Sequence, residues 1–377
     1  MCATVCGSGW GYSRKRRRSS MTGPTKGQEF SSEEVKLALR NPGMHLEGLR
    51  YPVTPIGMHY LLIHFDIPLI DPVDYELRVS GRVRNPLRLT LEDVKARPAV
   101  TMPVAMECAG NGRAHLSPRP ISAPWHEEAV GCSEWTGTPL GPILEEAGVL
   151  DDAVEILFAG QDRGIDDGIE HDYERSLPVE EALREEALLA YAMNGEPLPP
   201  QHGFPLRLVV PEWYGMASVK WLKSITATSE PFEGVQQANK YLYQSSEVDP
   251  GTPVTRKLPH ALMVPPGIPD FLTRERRVRP GTVLVEGRAW SGFGPVERVE
   301  FSADGGRTWE DAELSEPLGP HAWRSWSCEW DAEPGEYELC VRATDATGKT
   351  QPSEAEETWN QGGYGVNVVQ RVPVSVG

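Results

Sequence analysis

The chain has 377 residues, of which 39% are hydrophobic and 24% are charged, and its formal net charge is −17. This length is enough for two domains of the usual size, and the composition is typical of a folded globular protein. The acidic balance excludes a general nucleic-acid-binding role, because phosphate binding needs a basic surface. No apolar run reaches the ~18 residues that a membrane-spanning helix needs, so we expect no membrane span.

The N-terminal region contains five consecutive basic residues at positions 14–18. No apolar stretch follows them, so they do not match a twin-arginine export signal, and we predict a disordered basic tail over residues 1–30, with Met21 as an alternative start. The chain has six cysteines and no Cys-x-x-Cys pair, and the strand patterns place Cys328 and Cys340 on opposite faces. Free thiols are typical of a reducing compartment, so we expect the cytoplasm, while export stays an open alternative.

The first part of the chain shows mixed helix and strand patterns. The predicted order is a helix over 31–45, short strands over 51–100 with a hairpin around Gly81, helices over 140–149 and 178–195, and strands in "LRLVV" and "VKWLKSITA". Ser31 or Ser32 can cap the first helix, and Gly148 and Gly195 are suitable ends for the other two. The loop between the last two strands is rich in proline, glycine and aromatic residues, and such loops are common places for binding groups.

The second part of the chain has a different sequence pattern. Residues 250–280 are rich in proline and arginine, and we interpret them as a linker. From Gly281 onward short strands recur at regular spacing, and "ADGG" at 303–306 is a strong hairpin-turn sequence. This pattern predicts a β-sandwich of the immunoglobulin type. The predicted fold class is therefore α+β, with a mixed α/β domain over residues 31–255 and the immunoglobulin-like sandwich over 256–377.

Cys108 stands in "ECAGNG", where only small or turn-forming residues follow the thiol. Most free cysteines are small buried apolar residues, and that is the simplest interpretation. A nucleophile would need a base, and the nearby His115 fits no known triad pattern. A thiolate can also anchor a soft metal whose other ligands come from a cofactor. The residues alone leave these three interpretations open.

A small set of basic residues stands out in this acidic chain. Arg207 and Lys220 lie in or near apolar strand-like runs, where a cation is costly unless it is paired. Together with Arg113 they form a candidate binding set for an anionic cofactor. His64 and His202 are as compatible with hydrogen-bonded structural histidines as with residues that bind a ligand.

Three separated parts of the chain carry a family resemblance: "ECAGN", "NGEPLPPQHGFPLRLVVPEWYGMASVKWL", and "RAWSGFGPVERVEFSADGGRTW" with "WNQGGYGVN". They resemble the sulfite oxidase family of molybdopterin-dependent oxidoreductases over most of residues 45–370. The resemblance implies a molybdopterin-binding catalytic domain of the sulfite oxidase fold over 31–255, followed by a dimerisation domain, so we expect a homodimer. It also implies a separate electron carrier, such as a cytochrome, because no haem domain is recognisable.

The resemblance further implies the site residues. Cys108 would bind molybdenum, whose other ligands would be the two dithiolene sulfurs of one pterin and terminal oxygens. Tyr241 best matches the family's active-site tyrosine, with Tyr243 as a competitor, and would hydrogen-bond an oxygen ligand or relay a proton. The pterin-binding positions of the family correspond to His64, Asp162, His202, Arg207, Ser218, Val219 and Lys220.

Two arginines that help the family to bind sulfite are missing from this chain. The first is replaced by Leu62, two residues before His64, and the second falls in the stretch that here reads Phe293-Gly294-Pro295. Each loss removes charge-assisted contacts of roughly 1.5–3 kcal/mol. Nearness to Cys108 in sequence suggests three residues that could replace the lost charge, namely Arg113, Arg119 and His126.

The sequence thus leads to one main functional hypothesis and two alternatives. The main hypothesis is two-electron oxygen-atom transfer at a Mo-oxo centre, with sulfite or a related small molecule as the oxidised substrate. The missing arginines motivate the first alternative, which is reduction of a sulfoxide or another oxidised substrate at the same centre. The second alternative is a non-catalytic binding protein in which Cys108 is merely buried.

Overall fold

The computed structural model describes residues 30–377, so the predicted basic tail lies outside it apart from Phe30. In this part of the chain the α-helices are α1 (Ser32–Arg40), α2 (Leu91–Lys95), α3 (Gly141–Ala147) and α4 (Val179–Ala182). Short 3₁₀-helices cover Leu46–Arg50, Ile56–Met58, Arg113–His115, Pro200–His202, Gly215–Ala217 and Ala355–Thr358, and a π-helical turn covers Val235–Asn239. Most of the regular structure is β-strand.

The first domain contains two β-sheets. Its strands are β1 (Glu76–Gly81), β2 (Leu87–Thr90), β3 (Val100–Glu107), β4 (Val130–Pro139), β5 (Glu155–Asp166), β6 (Ile169–Pro178), β7 (Leu188–Met193), β8 (Glu196–Pro197), β9 (Arg207–Val209) and β10 (Leu222–Thr228), followed by the hairpin of β11 (Leu242–Tyr243) and β12 (Thr252–Pro253). One sheet has the order β2-β1-β10-β5-β6, and the other has the order β3-β4-β7-β8, with β9 also paired to β7. Leu77, Phe158 and Ile225 of the first sheet share one buried core with Leu189 and Leu208 of the second.

The second domain is a β-sandwich. Its strands are β13 (His260–Met263), β14 (Ile268–Pro269), β15 (Arg276–Val278), β16 (Gly281–Trp290), β17 (Val296–Ser302), β18 (Glu310–Asp311), β19 (Glu313–Leu314), β20 (Arg324–Ala332), β21 (Gly335–Asp345) and β22 (Gln370–Val376). Its sheets have the orders β13-β16-β20-β19 and β14-β15-β22-β21-β17-β18. Val285 and Trp326 from one sheet pack with Leu339 and Val341 from the other. The predicted α+β class, with an immunoglobulin-like sandwich after a mixed domain, is confirmed.

Several local predictions are also confirmed. The hydroxyl of Ser31 caps α1 by accepting a hydrogen bond from the Glu34 amide, and Gly148 ends α3 with a φ of 68°. β1 and β2 form the expected antiparallel hairpin. Cys328 and Cys340 are free and lie in different sheets of the sandwich.

The helix predicted over residues 178–195 is wrong beyond its first turn. α4 ends at Ala182, and the run "LLAYAM" forms β7, which lies between β4 on one edge and β9 on the other. A continuous apolar run suits a buried strand as well as a helix, and here the pairing partners decide. Gly195 has a φ of 79°, but it serves the turn between β7 and β8 instead of ending a helix.

Two further predictions need correction. Residues 51–75 contain no strand, because their prolines, among them Pro52 and Pro55, remove ladder donors, and the segment forms a short 3₁₀-helix and irregular structure. Residues 250–280 are not simply a linker, since β13 pairs with β16 and β15 pairs with β22 inside the sandwich. The domain boundary between residues 255 and 256 stays a prediction.

Candidate active site

Cys108 follows β3 directly, at the start of a loop that ends where β4 begins. Its main-chain N–H donates to the carbonyl of Ala129 at 2.9 Å, which joins the two ends of the loop. Gly112 has a φ of 80°, and a Cβ there would lie 2.1 Å from the carbonyl oxygen of Val366, so this turn requires glycine. The Cys108 thiol is 6% exposed and accepts a hydrogen bond from the Gly110 N–H at 3.4 Å, and burial raises its pKa.

Glu107, the last residue of β3, fixes this loop to the second domain. Its buried carboxylate accepts hydrogen bonds from Nδ2 of Asn111 at 3.0 Å and from Nε1 of Trp290 at 2.8 Å, and it lies 2.9 Å from Nδ1 of His260. Glu107 could not be predicted from local sequence patterns, because His260 and Trp290 come from β13 and β16, 153 and 183 residues further along the chain.

A cleft opens beside the sulfur of Cys108, and we call it the Cys108 cleft. The predicted site residues that line it are Cys108, Tyr241, His64, Asp162, His202, Arg207, Ser218 and Lys220. Val219 is the predicted residue that does not line it. Its side chain is fully buried in the hydrophobic core, its N–H donates to the carbonyl of Ala217, and its own carbonyl accepts from the Leu208 N–H.

Two cations of the cleft have no carboxylate partner within residues 30–377. The buried guanidinium of Arg207 donates to two main-chain carbonyl oxygens at 3.0 Å each and lies over the ring of Trp135. Nζ of Lys220 donates to the carbonyl oxygens of Leu62 and Gln201 at 2.7 and 3.2 Å. Burial lowers the pKa of Arg207 to about 10 and that of Lys220 to about 7. An anion in the cleft would therefore stabilise both charges.

Three histidines beside these cations hold neutral imidazoles. Burial, with a smaller contribution from neighbouring cations, lowers the pKa of His59 to about 4, that of His64 to about 3 and that of His202 to about 2. Nε2 of His59 is buried and has no hydrogen-bond partner among the described residues. His59 was not among the predicted site residues, because it lies outside the three stretches that carry the family resemblance. A bound group can use such imidazole nitrogens as donors or acceptors.

Asp162 and Ser218 present polar atoms to the cleft. Asp162 is 4% exposed, and its Oδ1 has no hydrogen-bond partner in the part of the chain that the structure describes. Burial raises the pKa of Asp162 to about 6, with Lys220 acting in the opposite direction. Oγ of Ser218 accepts from the Val210 N–H at 3.0 Å, which leaves its hydroxyl proton available. A buried oxygen without a partner is unusual, and it fits a polar ligand group at this point.

Tyr241 closes another side of the cleft. Its hydroxyl lies 2.8 Å from Nε2 of His64, and its ring stacks on Tyr364 with centroids 4.9 Å apart. The guanidinium of Arg175 lies 5.3 Å from the centre of the Tyr241 ring, and burial raises the pKa of Tyr241. Tyr243, its competitor in the sequence, lines a different groove, so the geometry favours Tyr241.

β6 supplies two further residues that the sequence analysis missed. The ring of Tyr173 stacks on His64 with centroids 4.5 Å apart, and its hydroxyl donates to the carbonyl of Met216 at 2.9 Å. Arg175 is 2% exposed, donates to the carbonyl of Gln236, and forms no ion pair within the described ranges. The alternation of side chains along a strand could have indicated both residues, since it places residues 173 and 175 on the same face of β6.

The three candidates for the missing substrate charge have different surroundings. Arg119 pairs with the buried carboxylate of Glu34 at 2.9 Å, so its charge is already neutralised. His126 is exposed and packs against other rings. Arg113 donates to the carbonyl oxygens of Gly362 and Ala123 and lies 5.4 Å from the ring centre of Tyr364, next to Tyr241. Of the three, Arg113 is the one whose charge lies close to the cleft.

The chemistry of the Cys108 cleft defines the kind of group it suits. The phosphate of a bound group would neutralise Arg207 and Lys220, and an N–H or O–H elsewhere on that group could donate to Oδ1 of Asp162. A soft metal ion would suit the thiolate of Cys108. These residues fit the cofactor of a molybdopterin-dependent oxidoreductase, which is the class that the fold and the cleft together define.

Comparison with known proteins gives the same class. Residues 64–236 match the oxidoreductase molybdopterin binding domain, and residues 264–377 match the Mo-co oxidoreductase dimerisation domain. The chain is 32% identical to mitochondrial sulfite oxidase of Drosophila melanogaster over 98% of this chain and 65% of that protein. It is 35% identical to sulfite oxidase of Gallus gallus over 82% of this chain and 70% of that protein. The crystal structure of the sulfane dehydrogenase SoxCD from Paracoccus pantotrophus is similar, with a TM-score of 0.73, 28% identity, and coverage of 86% of this chain and 82% of that one.

The chain belongs to the sulfite oxidase family of molybdopterin-dependent oxidoreductases. The predicted family and its molybdenum–molybdopterin cofactor are thereby confirmed. The chain spans 65% of the length of the Drosophila relative, which is slightly less than two thirds. Within residues 30–377 we find no helix with the length and apolar character needed to cross a membrane.

Proposed function

We propose that this protein is an enzyme that oxidises a small sulfur-containing anion, such as sulfite, in a two-electron step. The observation that carries this proposal is the Cys108 cleft, where a buried thiol, Tyr241 and uncompensated cations meet. The names of the relatives support a sulfur substrate, since the Drosophila protein is a sulfite oxidase and the Paracoccus protein is a sulfane dehydrogenase.

In this proposal Cys108 is the protein ligand of the metal. The pterin is held by the other residues of the cleft, namely His64, Asp162, His202, Arg207, Ser218 and Lys220. When bound, the molybdenum–pterin group supplies the two-electron redox chemistry and the site of oxygen-atom transfer. The raised pKa of the Cys108 thiol means that the thiol keeps its proton at neutral pH until metal binding displaces it.

Tyr241 and His64 form the proton-handling pair of this proposal. The Tyr241 hydroxyl stays protonated at neutral pH, because burial raises its pKa, and His64 stays neutral, because burial lowers its pKa to about 3. Their contact at 2.8 Å lets the pair hold or move a proton beside the substrate. Tyr173 and Tyr364 stack on the two rings and hold the pair in place.

The charge around this pair favours an anionic substrate. Arg113 lies over the ring of Tyr364 and Arg175 over the ring of Tyr241, and these two rings stack on each other. Neither arginine has a carboxylate partner in the described part of the chain. Their charges would partly replace those of the two missing family arginines. We therefore propose a small anion of one or two charges as the substrate.

The first test is metal content together with sulfite-dependent activity. Full-length protein made in cells that synthesise the cofactor should contain close to one molybdenum per chain and should reduce ferricyanide in the presence of sulfite. Cys108→Ser should lose metal or activity, whereas Cys328→Ser, in the sandwich, is the matched control. A wild-type protein without molybdenum would contradict the proposal and would favour a non-catalytic binding protein.

A second candidate is the reduction of a sulfoxide or another uncharged oxidised substrate. The observation that favours it is Leu62, an apolar residue that lines the cleft where the family resemblance predicts an arginine. A sulfoxide-dependent oxidation of a reduced dye, without sulfite-dependent activity, would establish this candidate and exclude the first.

The proposed partners follow from the two domains. Residues 264–377 match a dimerisation domain, so we propose a homodimer, which size-exclusion chromatography with light scattering would detect. We also propose a separate electron carrier, such as a cytochrome, and a location in the cytoplasm. Reduction of added cytochrome c by sulfite and the loaded enzyme would support a carrier of this kind.

A further inference from the structure

A second cluster of metal-ligating side chains lies on the loop that carries Cys108. His115 ends the 3₁₀-helix Arg113–His115, and His126 and Glu127 stand just before β4. One ligand atom from each of the three side chains lies within 4.8 Å of the other two. Nε2 of His115 is 2.8 Å from a carboxylate oxygen of Glu127, and the rings of His115 and His126 have centroids 5.4 Å apart.

Main-chain hydrogen bonds hold the two loop segments that carry this cluster next to each other. The Gly112 N–H donates to the carbonyl of His126 at 2.6 Å, and the Ala114 N–H donates to the carbonyl of Trp125 at 2.8 Å. These two bonds pair the outgoing and returning arms of the loop, so His115 and His126 face each other across a short ladder. A metal ion bound here would not have to organise the main chain, which lowers the entropy cost of binding.

Two imidazoles and one carboxylate are a donor set that suits a divalent transition-metal ion. Zn²⁺ takes nitrogen and oxygen ligands at roughly 2.0–2.2 Å, and three protein ligands leave a fourth position open to water. The three ligand atoms already lie within 4.8 Å of one another, so they are grouped closely enough to share one ion. His126 is exposed, which gives an ion access from solvent.

We propose that His115, His126 and Glu127 bind one divalent transition-metal ion of the Zn²⁺ type, which cross-links the two arms of the Cys108 loop. This site is distinct from the Cys108 cleft, which none of the three residues lines. The ion would stabilise the loop by adding a cross-link present only in the folded state. The proposal does not depend on the substrate or on the direction of turnover.

The test is a Zn²⁺ titration of the full-length, molybdenum-loaded protein against a chromogenic chelator. Wild type should bind one Zn²⁺ at this site, and His126→Ala and Glu127→Gln should each weaken that binding by roughly tenfold or more. His45→Ala is the matched control, because His45 is exposed and lies outside the cluster. Added Zn²⁺ should raise the thermal midpoint of wild type and the control, but not that of the two variants.

Co²⁺ provides a second readout that separates this site from the cysteines of the chain. Co²⁺ bound by imidazole and carboxylate gives weak visible bands, whereas thiolate ligands add intense charge-transfer absorption. In the difference spectrum against the cobalt-free, molybdenum-loaded protein we expect only the weak bands, and we expect His126→Ala to remove them. Equal Zn²⁺ affinity in wild type and His126→Ala, or thiolate absorption that His126→Ala leaves unchanged, would overturn the proposal. Neither measurement uses enzyme turnover, so these outcomes are independent of the proposed function.

Discussion

Arg119 and Arg207 are equally buried, yet their surroundings are opposite. Each is 4% exposed. Nε of Arg119 donates to the Glu34 carboxylate at 2.9 Å, and that carboxylate also closes the capping box of α1 with Ser31. Within residues 30–377 Arg207 contacts main-chain carbonyl oxygens, a thioether and an aromatic ring, and it forms no ion pair. One arginine belongs to a complete ion pair, whereas the other has no carboxylate partner in the part of the chain that the structure describes.

From this difference we propose that Arg119 has a structural role, whereas the charge of Arg207 serves to bind a ligand. Burying a cation is costly, and proteins normally compensate it with a carboxylate, as Glu34 does for Arg119. We propose that a bound group supplies the counter-ion where several cations without a carboxylate ion pair line one cleft. Arg207, Lys220 and Arg175 form no ion pair with a carboxylate within residues 30–377, and all three lie in or next to the Cys108 cleft.

The largest effect is expected when the complete pair is broken. Arg119→Met leaves Glu34 buried without a partner, so the free energy of unfolding should fall by about 3–5 kcal/mol. Urea denaturation of the full-length protein measures this change. The double variant Arg119→Met/Glu34→Gln should recover much of the loss, because the uncompensated charge is then gone. A single variant as stable as wild type would show that the pair contributes little.

Replacing Arg207 should have the opposite effect on stability, and it should weaken cofactor binding. Arg207→Met deletes a buried charge that has no carboxylate partner among the described residues, so the cofactor-free protein should keep its stability or gain some. The same change should weaken cofactor retention by roughly tenfold or more, since a charge-assisted hydrogen bond contributes about 1.5–3 kcal/mol. The molybdenum-to-protein ratio after extended dialysis checks this. If Arg207→Met kept as much molybdenum as Arg119→Met, the distinction between the two arginines would be wrong.

The sequence could predict some residues in and around the Cys108 cleft better than others. Arg207 and Lys220 stand in a long stretch with a family resemblance, and Cys108 stands in a second one, so their common cleft was predicted. Arg175 stands in no such stretch, and its place beside Tyr241 depends on the pairing of β5 with β6 and on the turn at residues 235–239. The partners of Glu107 likewise lie in another domain. Local patterns cannot reveal such contacts, for the same reason that they misassigned β7 as a helix.

The pH dependence of stability should distinguish the empty cleft from the filled one. Burial lowers the pKa of Lys220 from its ordinary value of 10.5 to about 7. Between these pH values the unfolded chain holds this proton and the folded, cofactor-free protein does not. The free energy of unfolding should therefore rise with pH from about 7 towards 10, by at most about 1.4 kcal/mol per unit.

Three samples check this prediction by urea denaturation at several pH values. The cofactor-free wild type should show the rise, and cofactor-free Lys220→Met should show a flatter curve over the same range. The loaded protein should also show a flatter curve, because a bound anion restores the ordinary charge of Lys220. Identical curves for wild type and Lys220→Met would mean that Lys220 is charged and solvated in the empty cleft.

The smallest expected effect concerns Arg175, which lies next to the cleft without lining it. Arg175→Met should leave the molybdenum content unchanged and should raise the KM for sulfite about fivefold, which corresponds to a through-space interaction of about 1 kcal/mol. Arg175→Lys should restore part of the affinity, because it restores the charge but not the shape. Arg342→Met is the matched control, since Arg342 is paired with Glu300 in the sandwich and its loss should not change the KM. If the KM for sulfite did not change in Arg175→Met, Arg175 would have only a structural role. Arg113 would then be the cation that attracts the anionic substrate.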